Sequence, residues 1–232
     1  MERMSTTTLF RLSGLALLVA LPIQLVGWIL HPSGERLVDL LSPTQGPAHV
    51  VMFFSWFCVM LGLPGLYAWQ AERAGRLGLL GFLAAMYSLA YGIYVMLYEA
   101  FPAVLLAQDP NTAQSIAMGG PLAHGAGAFG SQAFATLVAY PLFGLATLRA
   151  GVLPRLVGWL HILCVPAFFV SIIGLSVLLG DALDNLPGPL QPIALLYYML
   201  FVAYARGGYA LWSGERAHVV SATRTPMQQV AA

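Results

Sequence analysis

Three histidines and one glutamate, His31, His49, His124 and Glu99, are the side chains best suited to chemistry in this sequence. Imidazole and carboxylate are the donor types that suit iron, zinc or copper. Neutral imidazole is the form that binds a metal or a haem iron. Two of the histidines are matched: His49 ends Gly46-Pro47-Ala48-His49 and His124 ends Gly120-Pro121-Leu122-Ala123-His124. A third copy, Gly188-Pro189-Leu190-Gln191, carries Gln191 in the equivalent place. A matched pair on two helices suits bis-imidazole ligation of haem b, with His31 and Glu99 as further ligands or proton-handling partners. The alternative is a transition-metal centre (Fe, Zn or Cu) on His31, His49, Glu99 and His124. The same four residues also fit as unconnected hydrogen-bonding groups at a membrane boundary.

What must bring them together is a set of membrane helices. The chain has 232 residues, of which 59% are hydrophobic and 8% charged, against roughly 25% charged in soluble domains. Too little polar surface is present to cover a water-exposed globule, so lipid is the expected solvent. Continuous rather than alternating apolar runs point to helices, not barrel strands. Each span needs about 20 apolar residues, and six segments qualify: 10–30, 48–69, 77–98, 122–148, 156–179 and 190–212. The fold class is therefore all-α, a polytopic bundle of six transmembrane helices over residues 1–212. A polar cytoplasmic tail follows over 213–232. The first run is too long for a signal-peptide core, and His31-Pro32-Ser33-Gly34-Glu35 is not a small-residue cleavage site. It is expected to stay as a span.

All ten basic residues are arginine. Arg3, Arg11, Arg73, Arg76, Arg149, Arg155, Arg206, Arg216 and Arg224 fall on one side of this threading and only Arg36 on the other. That asymmetry places both termini in the cytoplasm. His31, His49, Glu99 and His124 then converge near the outer leaflet, at the ends of spans one to four. His49 and His124 are expected at helix N-termini, where the dipole opposes protonation, and Glu99 at a C-terminus, where it needs a cation, a donor or a proton. The outer loops 32–47 and 101–121 have room for small interfacial helices.

The shared phrases suggest an internal repeat. The even spans open with Gly-Pro, and the odd spans open with Arg11-Leu12, Arg76-Leu77 and Arg155-Leu156. Arg73-Ala74-Gly75 and Arg149-Ala150-Gly151 punctuate two inner turns. Three parallel helical hairpins related by rotation about the membrane normal would account for this. Ordinary helix-start chemistry also accounts for it, since proline suits the first helical turn.

Gly62-Leu63-Pro64-Gly65-Leu66-Tyr67, Arg73-Ala74-Gly75-Arg76-Leu77-Gly78 and Leu148-Arg149-Ala150-Gly151-Val152-Leu153-Pro154-Arg155 resemble text in uncharacterised six-span bacterial integral membrane proteins. The resemblance implies a bacterial cytoplasmic membrane and this threading. It implies no activity.

The remaining polar groups have structural alternatives. His161 lies deeper, from the inner side, and is expected to be a packing residue. Gln24 and Gln132 either extend a polar track or bond a neighbouring helix. Tyr87, Tyr91, Tyr94 and Tyr98 form a stripe that lines a pocket or packs. Ala123, Gly127, Ser131 and Ala135 form a small-residue stripe for close helix packing or for room beside a porphyrin. Cys58 and Cys164 are expected as buried hydrophobes rather than a disulfide or zinc pair. No phosphate-binding loop, dinucleotide fingerprint, nucleophile elbow or zinc-protease motif is present, and no basic stripe suggests nucleic acid.

The leading expectation is a haem- or metal-binding, redox-related membrane protein with its site near the outer leaflet, open to a quinone-sized or lipid-like molecule from the bilayer. A small-solute or proton-coupled transporter is the second, and a non-catalytic subunit of a larger membrane complex, or a homo-oligomer, the third.

Overall fold

A computed structural model describes residues 5–34, 36–117, 120–124 and 128–215, with the side chains of all but 128, 129 and 132. Arg3, Glu35, Gly127, the side chain of Gln132 and the tail beyond 215 lie outside the described residues. Every described regular element is helical: α1 (Thr6–Leu30), α2 (Leu37–Leu40), α3 (Gln45–Ala100), α4 (Pro102–Gln108), α5 (Ala113–Ile116), α6 (Ala128–Ala150), α7 (Arg155–Leu179) and α8 (Pro192–Ser213). Short 3-10 turns, Gly180–Asn185 and Gly188–Leu190, join α7 to α8. The small helices α2, α4 and α5 occupy the two loops expected to hold them.

Among the described residues, four stretches are long and apolar enough to cross a membrane: Thr6–Leu30, Gln45–Gln108, Ala133–Ala150 and Arg155–Asn185. The second contains α3, which does not run straight. Gly75 leaves helical geometry at φ 59° and ψ −156°, and the chain turns back there. Gln45 bonds Glu99 across the two arms. Tyr67 stacks on Phe82 at 4.6 Å. Gly92 lies so close to Trp56 that a Cβ would collide with the indole. These pairings are antiparallel and centred on the Gly75 turn. A positive φ is one that glycine reaches without steric cost. Gly151, between α6 and α7, repeats it at φ 61°.

The long helices close into a ring in which α1 packs on α3 and α8, α3 on α6, α6 on α7 and α7 on α8. Glycines permit two of the closest crossings. A Cβ on Gly14 would meet the carbonyl of Gly208 and the reverse, tying α1 to α8; Gly144 and Gly158 do the same for α6 and α7. Small residues at such crossings let backbones approach where lipid offers no hydrophobic drive. Buried hydroxyls add direct bonds. Ser55 donates to the Ala20 carbonyl at 2.7 Å, and Ser88 and Thr136 share a hydrogen bond at 2.8 Å. The core holds Trp56, Tyr140, Phe143 and Tyr204, while α7 exposes Val170, Val177 and Leu178. An apolar outside around a packed inside is what a lipid-solvated bundle needs.

Helix limits differ from the expected ones where turn chemistry intervenes. α6 begins at Ala128, not near 122, because residues 120–124 form turns. The third Gly-Pro phrase makes a 3-10 turn, and α8 starts after it at Pro192. Only the first of the three phrases lies inside a long helix, since α3 already starts at Gln45. Identical dipeptides thus open three different local structures.

Candidate functional site

At one end of the ring, α1, both arms of α3, α7, α8 and the loops between them enclose a cavity of about 370 Å³. All four sequence-expected residues, His31, His49, Glu99 and His124, line it. The chain folding back at Gly75 is what sets Glu99 beside the start of the same helix.

His31 caps α1, its N–H bonding the Gly27 carbonyl at 3.0 Å. Its Nδ1 donates to the Pro32 carbonyl at 2.8 Å. His49, one turn into α3, likewise donates from Nδ1 to the Gln45 carbonyl, at 2.9 Å. A carbonyl only accepts, so these bonds fix the proton on Nδ1 of each neutral ring and leave Nε2 with its lone pair. The two rings face each other with centroids 5.0 Å apart. His31 lies one residue beyond α1, and burial, reinforced by His49, lowers its pKa from 6.5 to about 4.

Glu99, in the last turn of α3, is 5% exposed. Its Oε2 accepts from Gln45 Nε2 at 3.3 Å, and its Oε1 lies 3.5 Å from His124 Nδ1. These meet its expected need for a donor or cation at a helix C-terminus. His124 itself is not at a helix N-terminus. It sits in a turn at φ 49°, in the left-handed region where histidine is tolerated more often than most residues. The helix-dipole argument therefore does not apply to it, and Glu99 and His49 are among its electrostatic neighbours. His31 faces His49 and His124 lies beside Glu99, while His49 is also within electrostatic reach of Glu99 and His124.

Among the described residues, no group of three or more His, Cys, Asp or Glu side chains is disposed to hold one metal ion. No family model matches the chain, and neither a curated protein nor a solved structure matches it.

The mouth is bridged by Arg36. Its Nε donates to Asp39 at 2.8 Å and its Nη1 to the Asn185 side chain at 3.0 Å, tying the loop after α1 to the turn after α7. Deeper in, Gln24, Trp28, Met52, Trp56, Met96 and Tyr197 form the walls. Sequence reasoning passed over most of these, though helical spacing signals them. Trp28 precedes His31 by three residues and Trp56 follows His49 by seven; i±3 and i±7 share one face.

The other candidates lie elsewhere. His161 is fully buried, donates from Nδ1 to the Val157 carbonyl at 2.7 Å and packs among Tyr140, Phe143 and Tyr204. It is a packing residue, as expected, although its Nε2 has no partner among the described residues. The tyrosine stripe bonds locally, Tyr87 to Ser131 and Tyr98 to the Leu122 carbonyl. None of the four tyrosines lines the cavity. Cys58 and Cys164 are free thiols.

Proposed function

We propose that this chain is a six-span protein of a bacterial cytoplasmic membrane, with both termini cytoplasmic, that binds a small amphipathic molecule in its outer-leaflet cavity. The polar head of that molecule meets the imidazoles and Glu99, which exchange a proton with it. The threading counts the two arms of α3 as separate spans and α8 as the sixth, with Arg73, Arg76, Arg149, Arg155 and Arg206 gathered at the inner face. The three-hairpin repeat rests on the matched glycine turns at 75 and 151.

One observation carries the function: ionisable groups from separate chain segments, among them His31, His49, Glu99 and His124, line a cavity whose deeper walls are mostly apolar and aromatic. Its volume lies in the range of small-molecule sites, about 300–1,000 Å³. Ionisable groups this near hydrocarbon are costly and persist where they serve a ligand or a proton. Phe168 and Ile172 of α7 form part of the wall, on a helix whose outer end is mostly exposed to lipid, so a lipid-soluble ligand has a lateral route.

A second reading has its own support. Both His31 and His49 bind carbonyls through Nδ1, the second-shell arrangement that presents Nε2 to a metal. A transition metal held by this pair would need its remaining ligands from the bound molecule or from water. Haem b between His49 and His124 draws less support, because His124 Nδ1 lies 3.5 Å from the Glu99 carboxylate.

The test is to purify the chain in lipid nanodiscs, extract it with organic solvent and identify retained small molecules by mass spectrometry, alongside an absorption spectrum and elemental analysis. A stoichiometric amphiphile, lost in His49→Ala and Glu99→Gln, supports the reading. Stoichiometric metal lost in His31→Ala moves the weight to the second. A Soret band overturns both in favour of haem, and an empty protein that also ignores added amphiphiles overturns all three.

A further inference from the structure

Residues at the inner wall of the cavity carry buried polar atoms with nothing to bond. Gln24 Oε1, Trp28 Nε1 and Trp56 Nε1 are each buried without a hydrogen-bond partner among the described residues. The three residues are 1%, 4% and 2% exposed, and all three line the cavity. Such atoms are rare in native proteins, because an unmet buried donor or acceptor forfeits the hydrogen bonds it would make to water. Gln24 lies seven residues inward from His31, and Trp56 seven inward from His49. At 1.5 Å per residue both sit about 10 Å below the imidazoles. Gly92 receives the six-membered edge of the Trp56 indole, so its N–H edge is turned away from the second arm of α3. The cavity thus has two polar poles: Gln24 and Trp56 at the inner one, and Trp28 with the imidazoles at the outer one, its ring 5.1 Å from that of His31. Between them run Met52, Met96 and the ring of Tyr197, which lies 5.4 Å from Trp56 and 6.0 Å from Trp28.

The chemistry of the deep pole is specific. It offers the Trp56 indole donor and one amide acceptor. A hydroxyl satisfies both at once, accepting from the indole N–H and donating to the Gln24 carbonyl. A carboxylate would face the Gln24 oxygen with no proton to give, and an ammonium would leave the indole unmet. Aromatic walls favour a flat ring at this level. We infer that the ligand is a ring bearing oxygen functions at opposite edges, of the hydroquinone class, with one hydroxyl on Gln24 and Trp56 and the other reaching toward His49 and Glu99. This rests on the cavity reading above and names the ligand class for it.

The test uses the full chain in nanodiscs under anaerobic conditions, with empty nanodiscs as background. Three probes are titrated: a decyl-substituted hydroquinone, its bis-methyl ether and dodecanol. The hydroquinone is expected to bind saturably, and the ether, which has the same ring but no O–H, at least about ten-fold more weakly. Gln24→Met and Trp56→Phe are each expected to weaken the hydroquinone about ten-fold while leaving the ether unchanged. Equal binding of hydroquinone and ether by the wild type overturns the inference without any variant, and means that the floor holds only water. Saturable dodecanol binding without hydroquinone binding overturns the ring but leaves the amphipathic-ligand reading standing. Binding of none of the three overturns both.

Discussion

Glu99 is the residue on which the site turns, because each carboxylate oxygen has its own partner, Gln45 on one side and His124 on the other. Glu99→Gln keeps the shape and removes the charge. It is expected to weaken ligand binding about ten-fold or more, the scale of losing a charge-assisted bond, with the helical circular dichroism unchanged; titration in nanodiscs checks this. His31 makes a prediction about pH. Unfolded, its imidazole takes up a proton below about 6.5; folded, it stays neutral to about 4 because burial and His49 oppose the charge. The stability tied to its neutral form is complete above 6.5 and is lost as pH falls from 6.5 toward 4. The thermal midpoint should drop across that interval, and the drop should be shallower in His31→Gln. At this scale the sequence was informative about identity but not about pairing. Residue type and threading picked out His31, His49, Glu99 and His124, and all four line one cavity. Which ring faces which depends on side-chain direction and on a turn at His124 that no periodicity encodes.

Helices place these residues, and glycines decide how closely the helices approach. Gly14 against Gly208 and Gly144 against Gly158 leave no room for a side chain. Gly144→Leu should cost about 1–3 kcal/mol or more by overpacking, read as a lowered unfolding midpoint in detergent titration. An exposed change such as Val177→Leu on α7 should be near neutral. Gly75 differs, because nothing crowds it and its requirement is conformational. Gly75→Ala should destabilise by about 1–2 kcal/mol through its left-handed backbone alone, measured in the same titration. Apolar run lengths made most long helices legible in the sequence, and the arginine-flanked turn at 75 was legible too. The start of α6 was misplaced because Gly120-Pro121-Leu122-Ala123-His124 matches the phrase at 46–49 but folds as turns. Short motifs do not determine the hydrogen-bond pattern that follows them.

At the scale of the whole molecule, a ring of long helices encloses a core of large aromatics and keeps one cavity at one end. Composition alone announced a lipid-solvated all-helical chain. It could not announce a cavity, since that depends on how the ring closes. The proposed threading predicts that cysteines at 75 and 152 react with membrane-impermeant thiol reagents only after the membrane is opened, and that cysteines at 110 and 184 react in intact cells, with Cys58 and Cys164 replaced. The central claim, that the outer cavity takes an amphipathic molecule from the bilayer, is tested most directly by photolabelling the protein in nanodiscs with a diazirine-bearing alkyl alcohol and mapping the modified residues. The account predicts saturable labelling at Met52, Met96 or Tyr197, competed by unlabelled alcohol and abolished when Met96→Trp fills the space. Labelling confined to outward residues such as Val170 and Val177, insensitive to competitor and to Met96→Trp, would contradict it.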